Sequence, residues 1–259
     1  MLEKITPLIL TYNEAPNIDR TLQKLTWAKK IIIIDSYSTD ETIEILHSYP
    51  QIQVFQKQFD SFASQCNYGL GKITSEWVLS LDADYVLTDE LINEIKTLPE
   101  EPDINSYSVR FKYCIYGKPL RGTLLPPRKL LYRREQATYQ DDGHAHRVWV
   151  EGKSAMLSAF IYHDDRKSLN RWLWAQDRYM VIEAKKLLET QESELSLSDR
   201  IRKHKIFAPL IILLYCLILK GCIFDGWHGW YYTFQRMLAE ILLSIRLIEN
   251  EQIHQKTSK

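Results

Sequence analysis

Four consecutive isoleucines, Ile31–Ile34, sit in the stretch KIIIIDS. Successive residues of a strand point to opposite faces, so this run needs apolar cover on both sides. That is the mark of a parallel strand sandwiched between helices. The neighbouring segments agree. ITPLILTY reads as a first strand, and after NEAP comes a helical pattern, Ile18, Leu22, Leu25, with Pro16 suited to a first helical turn. STDETIEILHSY places Ser38 three residues before Glu41, a capping box, with Ile43 and Leu46 on the inner face. IQVFQK is a third strand and SFASQCNYGLGKI a third helix; EWVLSLDAD is a fourth strand, followed by the helix TDELINEIKTL with acids in its first turn. Strand and helix thus alternate four times, which predicts a parallel sheet with helices on both faces. Ligands of such sheets bind outside the carboxyl ends of the strands. Three of those ends are polar: Thr11-Tyr12-Asn13-Glu14, Asp35-Ser36-Tyr37-Ser38 and Asp82-Ala83-Asp84.

From about Asn105 the rhythm changes. SYSVRFKYCIYG, KLLYRR, RVWVEG and AMLSAFIYH read as strands without intervening helices, completing the same domain as a mixed sheet. Asp165 to Leu188 is an amphipathic helix with Leu169, Trp172, Leu173, Tyr179, Met180, Ala184 and Leu187 on one face. A polar connection, ETQESELSLS, follows. The expected division is a catalytic part over residues 1–165 and a helical part over 166–259. Lysine plus arginine equals aspartate plus glutamate, 33 each, so bulk charge does not favour a nucleic-acid partner. The four cysteines match no zinc spacing and read as free thiols of a reducing compartment. No basic-then-apolar leader precedes the first strand, so the catalytic part is expected in the cytosol.

The pair Asp82 and Asp84 needs a reason. If the strand persists through Asp84, both carboxylates converge on one face. Like charges that close repel unless a cation joins them. A divalent metal, Mg²⁺ or Mn²⁺, suits carboxylates plus substrate phosphates. The bland alternative is a strand-to-helix turn holding Asp84, with Thr88 as N-cap. Asp40 is likewise a candidate capping residue.

TYNEAPNIDRTL, IIDSYSTDETIEI and WVLSLDAD together resemble the inverting family 2 glycosyltransferases, across roughly residues 5–95. The resemblance implies the GT-A fold: α/β, Rossmann-like, a mostly parallel central sheet with a small antiparallel extension, here followed by C-terminal apolar and amphipathic helices. FDSFASQCNYGL, KLLYRR, DDGHAHRV and the tail GCIFDGWHGWYYTFQRMLAEILLSIRLIE look like the branch that adds glucose to the lipopolysaccharide inner core. By this resemblance Thr11 and Tyr12 line the base pocket, Glu14 lies near the ribose, and Asp35 contacts base or ribose. Asp82 lies near ribose and metal, and Asp84 ligates the metal that bridges the donor diphosphate. Asn67 matches a recurring asparagine, for which a structural hydrogen bond competes with donor binding. His163, at the end of AFIYH, is a possible third metal ligand or a structural histidine. The basic cluster Arg128, Lys129, Arg133, Arg134 holds the diphosphate, with Arg133 foremost, or an anionic acceptor, or is a solvated face.

An inverting transfer needs a base for the acceptor hydroxyl. Relatives in the core-glucosyl branch show His-Glu-His where this chain has His144-Ala145-His146. The glutamate is absent, so Asp142, then His144, then Asp141 are the candidates, against an Asp-Asp-Gly turn with solvent-facing histidines.

RIRKHK precedes a run of 14 apolar residues, Ile206–Leu219. As helix that run rises ~21 Å, short of the ~30 Å hydrocarbon core. An interfacial, monotopic arrangement is expected, with a second amphipathic segment carrying Trp227, Trp230, Tyr231, Phe234, Leu238, Ile241, Leu242 and Ile245. A true span and a buried helix pair are the alternatives. The combined expectation is a metal-dependent transferase at the cytoplasmic face of the inner membrane. It moves a hexose, glucose first, from a UDP-sugar (UDP-glucose) to a lipid-linked glycan such as lipopolysaccharide core. A polyprenyl-phosphate glycosyltransferase and a degenerate membrane-bound assembly subunit are the rivals.

Overall fold

The structure is a computed structural model describing residues 1–99, 103–142 and 145–257. Its chain divides into two units: residues 1–119 with 124–167, and residues 120–123 with 168–259.

The first unit opens with the expected alternation: β1 (Ile5–Thr11), α1 (Ile18–Gln23), β2 (Ile31–Asp35), α2 (Thr42–His47), β3 (Ile52–Gln56), α3 (Phe62–Leu70) and β4 (Trp77–Asp82). A short strand β5 (Tyr85–Leu87) precedes α4 (Asp89–Thr97). There follow β6 (Ile104–Ile115), β7 (Lys118–Pro119), β8 (Arg128–Arg133), β9 (Ala137–Asp142), β10 (Ala145–Val150) and β11 (Lys153–His163). The main sheet runs β3-β2-β1-β4-β8-β6-β11-β5, with β7 on β6, while β9 and β10 form a separate hairpin. β1 pairs in parallel with both β2 and β4, and β2 with β3. β8 runs antiparallel to both its neighbours, and β11 returns parallel to β6. The sheet is therefore more mixed than expected, since β8 and β5 run against their neighbours in its second half.

The isoleucine run behaves as its pattern requires. All four side chains are fully buried. Ile31 and Ile33 join one core layer with Leu22, Leu46, Leu91 and Ile95 from the helices, whereas Ile32 and Ile34 join the other with Ala63, Cys66 and Leu70 of α3. In the second layer the Tyr139 hydroxyl donates to Ser80 Oγ at 2.8 Å and lies 2.8 Å from that of Tyr132. This ties the β9 strand to β4 two residues before Asp82.

Two local expectations fail. The capping box at Ser38–Glu41 does not form; Asp40 instead accepts the Thr42 and Ala15 N–H groups, knitting the first two strand-end turns together. β9 was not anticipated as a strand, because YQDD lacks the apolar alternation that marks one.

The second unit contains α5 (Leu169–Glu189), α6 (Leu197–Lys203), α7 (Ala208–Leu214) and α8 (Trp227–Thr257). A π-helical turn, Tyr215–Leu219, extends α7, and Gly221 at φ +69° ends it. The apolar run is thus broken, and no helix among the described residues is long and apolar enough to cross a membrane. The stripe expected on α8 is not its buried face. Tyr232, Ala239, Leu243 and Leu247 are the helix's buried apolar residues, while Trp227, Phe234 and Ile245 of the expected stripe are more than half exposed. All four cysteines are buried and free.

Candidate active site

The parallel registers Thr11↔Asp35 and Leu10↔Asp82 bring the three polar strand ends together at one edge. The turns there carry left-handed residues, Asn13 at φ 55° and Tyr37 at φ 60°. Asparagine tolerates that conformation; tyrosine adopts it at a cost of about 1–2 kcal/mol. Tyr12 and Tyr37 are the exposed aromatic residues at this edge.

Thr11 and Asp35 lie beneath the surface of this edge. Both are buried, and Thr11 Oγ1 donates to Asp35 Oδ1 at 2.9 Å. Asp35 also accepts from Ser38 N–H and Oγ–H at 2.9 and 2.6 Å. These carboxylate bonds brace the turn that displays Tyr37. Tyr12 stands at the surface of the same edge.

The acidic pair does not lie on one continued strand, although Asp82 stays close enough to raise the Asp84 pKa. β4 ends at Asp82, and Ala83-Asp84 is a turn from which the chain moves to the far strand of the sheet. There Tyr85 pairs with His163, and the Asp164 N–H donates to the Asp84 carbonyl at 2.9 Å. Thr88 Oγ1 accepts the Leu91 N–H at 3.1 Å and so caps α4. Asp82 is 38 % exposed on its side chain and lies 3.9 Å from Arg128 Nη1, whereas Asp84 is buried.

Around Asp84 lies an excess of negative charge. Burial, then Asp165 and Asp82, push its carboxyl up to about 8. Glu14 is pushed up to about 7, chiefly by burial, with Lys167 opposing. Lys167 Nζ pairs with Glu14 Oε1 at 2.6 Å. Burial opposes the Lys167 charge, but Glu14, Asp84 and Asp165 together outweigh it and raise its pKa. The directions agree: several carboxylates share one ammonium. Asn17, fully buried, completes the cluster. Its amide donates to Glu14 and Asp165, and its oxygen accepts from Arg166 N–H and Arg20, so both donors and both lone pairs are used.

His163 Nε2 lies 3.5 Å from Asp84 Oδ2, and Asp84 Oδ1 is buried without a hydrogen-bond partner. Among the described residues no three His, Cys, Asp or Glu side chains are gathered as a ready-made metal site. Two protein donors with an orphaned carboxylate oxygen nevertheless fit Mg²⁺ or Mn²⁺, which take part of their shell from phosphate and water.

Two expected residues lie elsewhere. Arg133 pairs with Trp77 in the sheet register, binds Glu76, and stacks on the Trp77 ring at 4.8 Å. Trp77 begins β4 and Asp82 ends it, some 17 Å away at strand rise, so Arg133 sits far from the acidic strand end. Arg128, at the other end of the same strand, is the cation beside Asp82. Asn67 is tied to the β9 strand. Its side chain brackets the Tyr139 backbone, donating to the carbonyl and accepting the N–H, each at 2.9 Å. It therefore anchors β9, the strand that ends in Asp141 and Asp142. The side chains of those two aspartates, and His144 altogether, lie outside the described residues. Asn67→Ala is expected to cost roughly 1–2 kcal/mol of stability through the unpaired backbone groups. It should lower kcat while leaving donor affinity unchanged; calorimetry beside steady-state kinetics checks this, and a weakened donor Kd would refute it.

Lys167, Asn17 and Asp165 are the residues that motif reading did not assign, since no local pattern marks them. Arg128 was legible only as one member of its basic cluster.

Against known proteins, the profile described as Glycosyl transferase family 2 matches residues 8–150. The chain belongs to glycosyl transferase family 2. Its matched span ends with β10 and takes in all three polar strand ends. An uncharacterized glycosyltransferase of Rickettsia prowazekii (strain Madrid E) is 25 % identical over 203 residues, covering 73 % of this chain and 69 % of that protein. Poly-beta-1,6-N-acetyl-D-glucosamine synthase of Staphylococcus epidermidis is 29 % identical over 130 residues, covering 45 % of this chain; the chain spans about a third, 32 %, of that protein's length. Among solved structures, S. aureus TarS 1-349 in complex with UDP-GlcNAc superposes with a TM-score of 0.51 at 14 % identity, covering 96 % of this chain and 91 % of that one. The shared fold is the GT-A-like α/β arrangement with a mixed sheet.

Proposed function

We propose that this family 2 protein is an inverting, divalent-metal-dependent transferase. It moves a hexose, glucose first, from a UDP-sugar to a lipid-linked glycan such as lipopolysaccharide core at the cytoplasmic face of the inner membrane. The observation that carries the reading is the buried, unpartnered Asp84 oxygen among Glu14, Asp82, Asp165 and His163 at the strand carboxyl ends. The UDP-GlcNAc bound to the structurally similar TarS supports a UDP-sugar donor. The lipid-linked acceptor rests on the resemblance of the later segments.

Asp84 and His163 would hold the metal, with Asp82 beside it. Such a metal neutralises charge on the departing diphosphate. Arg128 adds a fixed cation near Asp82. Tyr12 and Tyr37 present aromatic faces for the base. The acceptor hydroxyl attacks the anomeric carbon as the bond to UDP breaks, and its proton passes to a base. Asp142, then His144, then Asp141 remain the candidates, the two aspartates at the end of the β9 strand that Asn67 anchors.

Calorimetry with UDP-glucose and UDP-GlcNAc, with and without Mn²⁺, tests the donor side. Metal-dependent binding is expected, tighter for UDP-glucose. Tighter UDP-GlcNAc binding would overturn the sugar assignment, and no binding to either would overturn the transferase reading.

A further inference from the structure

The second unit exposes an apolar face that the donor site does not explain. Phe207, Leu210, Leu214, Ile218, Leu219 and Phe224 are each at least half exposed, Leu219 at 74 % and Phe224 at 71 %. Pairs recur every four residues from Ile206 to Leu219. On an ideal α-helix that spacing drifts by about 40° per step. The wider π-helical turn at Tyr215–Leu219 slows the drift and keeps the pairs on one side. A contiguous apolar patch of this kind marks an interaction surface.

The charge beside it identifies the partner. From Arg200 to Phe224 there is no aspartate or glutamate, but there are Arg200, Arg202, Lys203, Lys205 and Lys220. Arg202 is engaged by Glu183 and Glu240, and Lys205 by Glu251, leaving Arg200, Lys203 and Lys220 as the surplus among the described residues. Residues 120–123 belong to this unit and close its rim. Gly122 packs against the Lys220 carbonyl, where any Cβ would come within 2.4 Å. The neighbouring Arg121 N–H donates to the buried Asp225 at 2.9 Å, cancelling that carboxylate. Arg121 lies over the Phe224 ring at 5.4 Å, and Lys220 over Tyr215 at the same distance. Cations beside exposed aromatic rings, with aliphatic side chains between them, match the boundary between headgroups and acyl chains. α7 with its π turn, residues 208–219, rises only ~18 Å, so it fits a layer rather than a crossing.

We infer that the face formed by residues 206–224 seats in an anionic lipid surface, with α7 lying in the plane of the headgroups. The inference deepens the lipid-linked acceptor reading by naming the segment that docks, but it stands on the second unit alone.

The test is flotation of the full chain, without donor, on phosphatidylcholine vesicles containing one-third phosphatidylglycerol and on pure phosphatidylcholine vesicles. Binding is expected on the anionic vesicles, weaker on the neutral ones, and reduced by added salt. Phe207→Glu with Leu219→Glu should weaken it roughly 30-fold or more. Both side chains are mostly exposed, so the melting temperature should hold; Ile218→Gln serves if the pair misfolds. Undiminished binding by the variants would overturn the inference, as would failure of the wild type to float. Sedimentation velocity covers the other occupant: a wild-type dimer that ignores vesicles and becomes monomeric in the double variant would make this a subunit interface. UDP release on a lipid-free acceptor glycan should be unchanged in the variants. Its absence in the wild type, with vesicle binding intact, would sink the transferase reading and leave the docking face standing.

Discussion

Asp84→Asn is expected to lower UDP release by roughly 10²–10³-fold and, at the same time, to raise the melting temperature. The two effects share one cause. Asp84 is buried, has an oxygen with no hydrogen-bond partner, and faces Asp165 and Asp82. Such a carboxylate is costly in the resting protein and becomes favourable only when a cation joins it. An amide of the same shape removes the repulsion, stabilising the fold by about 1 kcal/mol, or about 2–4 °C for a chain this long. It also removes the anionic ligand that the diphosphate-bound metal requires. Calorimetric melting and a UDP-release assay on the same preparation check both arms. A variant that keeps its activity would refute the metal role, and one that melts lower would show that the Asp84 carboxylate is satisfied by the protein itself.

Lys167→Met has the opposite signature. Lys167 and Glu14 have side chains only 19 % and 13 % exposed, and the ammonium is the cation shared by Glu14, Asp84 and Asp165. Removing one partner of such a pair leaves uncompensated buried charge, typically about 3–5 kcal/mol. The melting temperature should fall by roughly 6–20 °C. Donor binding should weaken too, because Asn17 and Lys167 together fix the Glu14 carboxylate. Adding Glu14→Gln should recover much of the lost stability but not the binding. A fall of less than a degree, or no recovery in the double variant, would show that the pair is not coupled as described.

The α/β half was legible because each element carries its own periodicity. Ile31–Ile34 demanded cover on both faces, and Asp82, Asp84 and Glu14 were readable as a polar edge because strand ends of a parallel sheet share that edge. The hairpin β9–β10 was less legible. Its position depends on Asn67 holding the Tyr139 backbone, a contact across 72 residues that no local pattern reports.

Arg128 and Arg133 illustrate the limit well. Both sit in one basic cluster, and composition cannot choose between them. The antiparallel register of β8 on β4 places Arg133 against Trp77 and leaves Arg128 near Asp82. The same holds for Lys167 and Asn17, which meet Glu14 from segments some 150 residues apart.

By itself, then, the sequence determined which elements form, that their polar ends carry carboxylates, and that residues 206–219 are too short to span a membrane. Those properties follow from side-chain periodicity and length, which are local. The tertiary structure alone decided that Asp84 is buried while Asp82 is not, which cation serves each, and which apolar residues of the last helices stay exposed. Those outcomes depend on strand order, register and packing between distant segments, where a shift of one residue exchanges a buried charge for a solvated one.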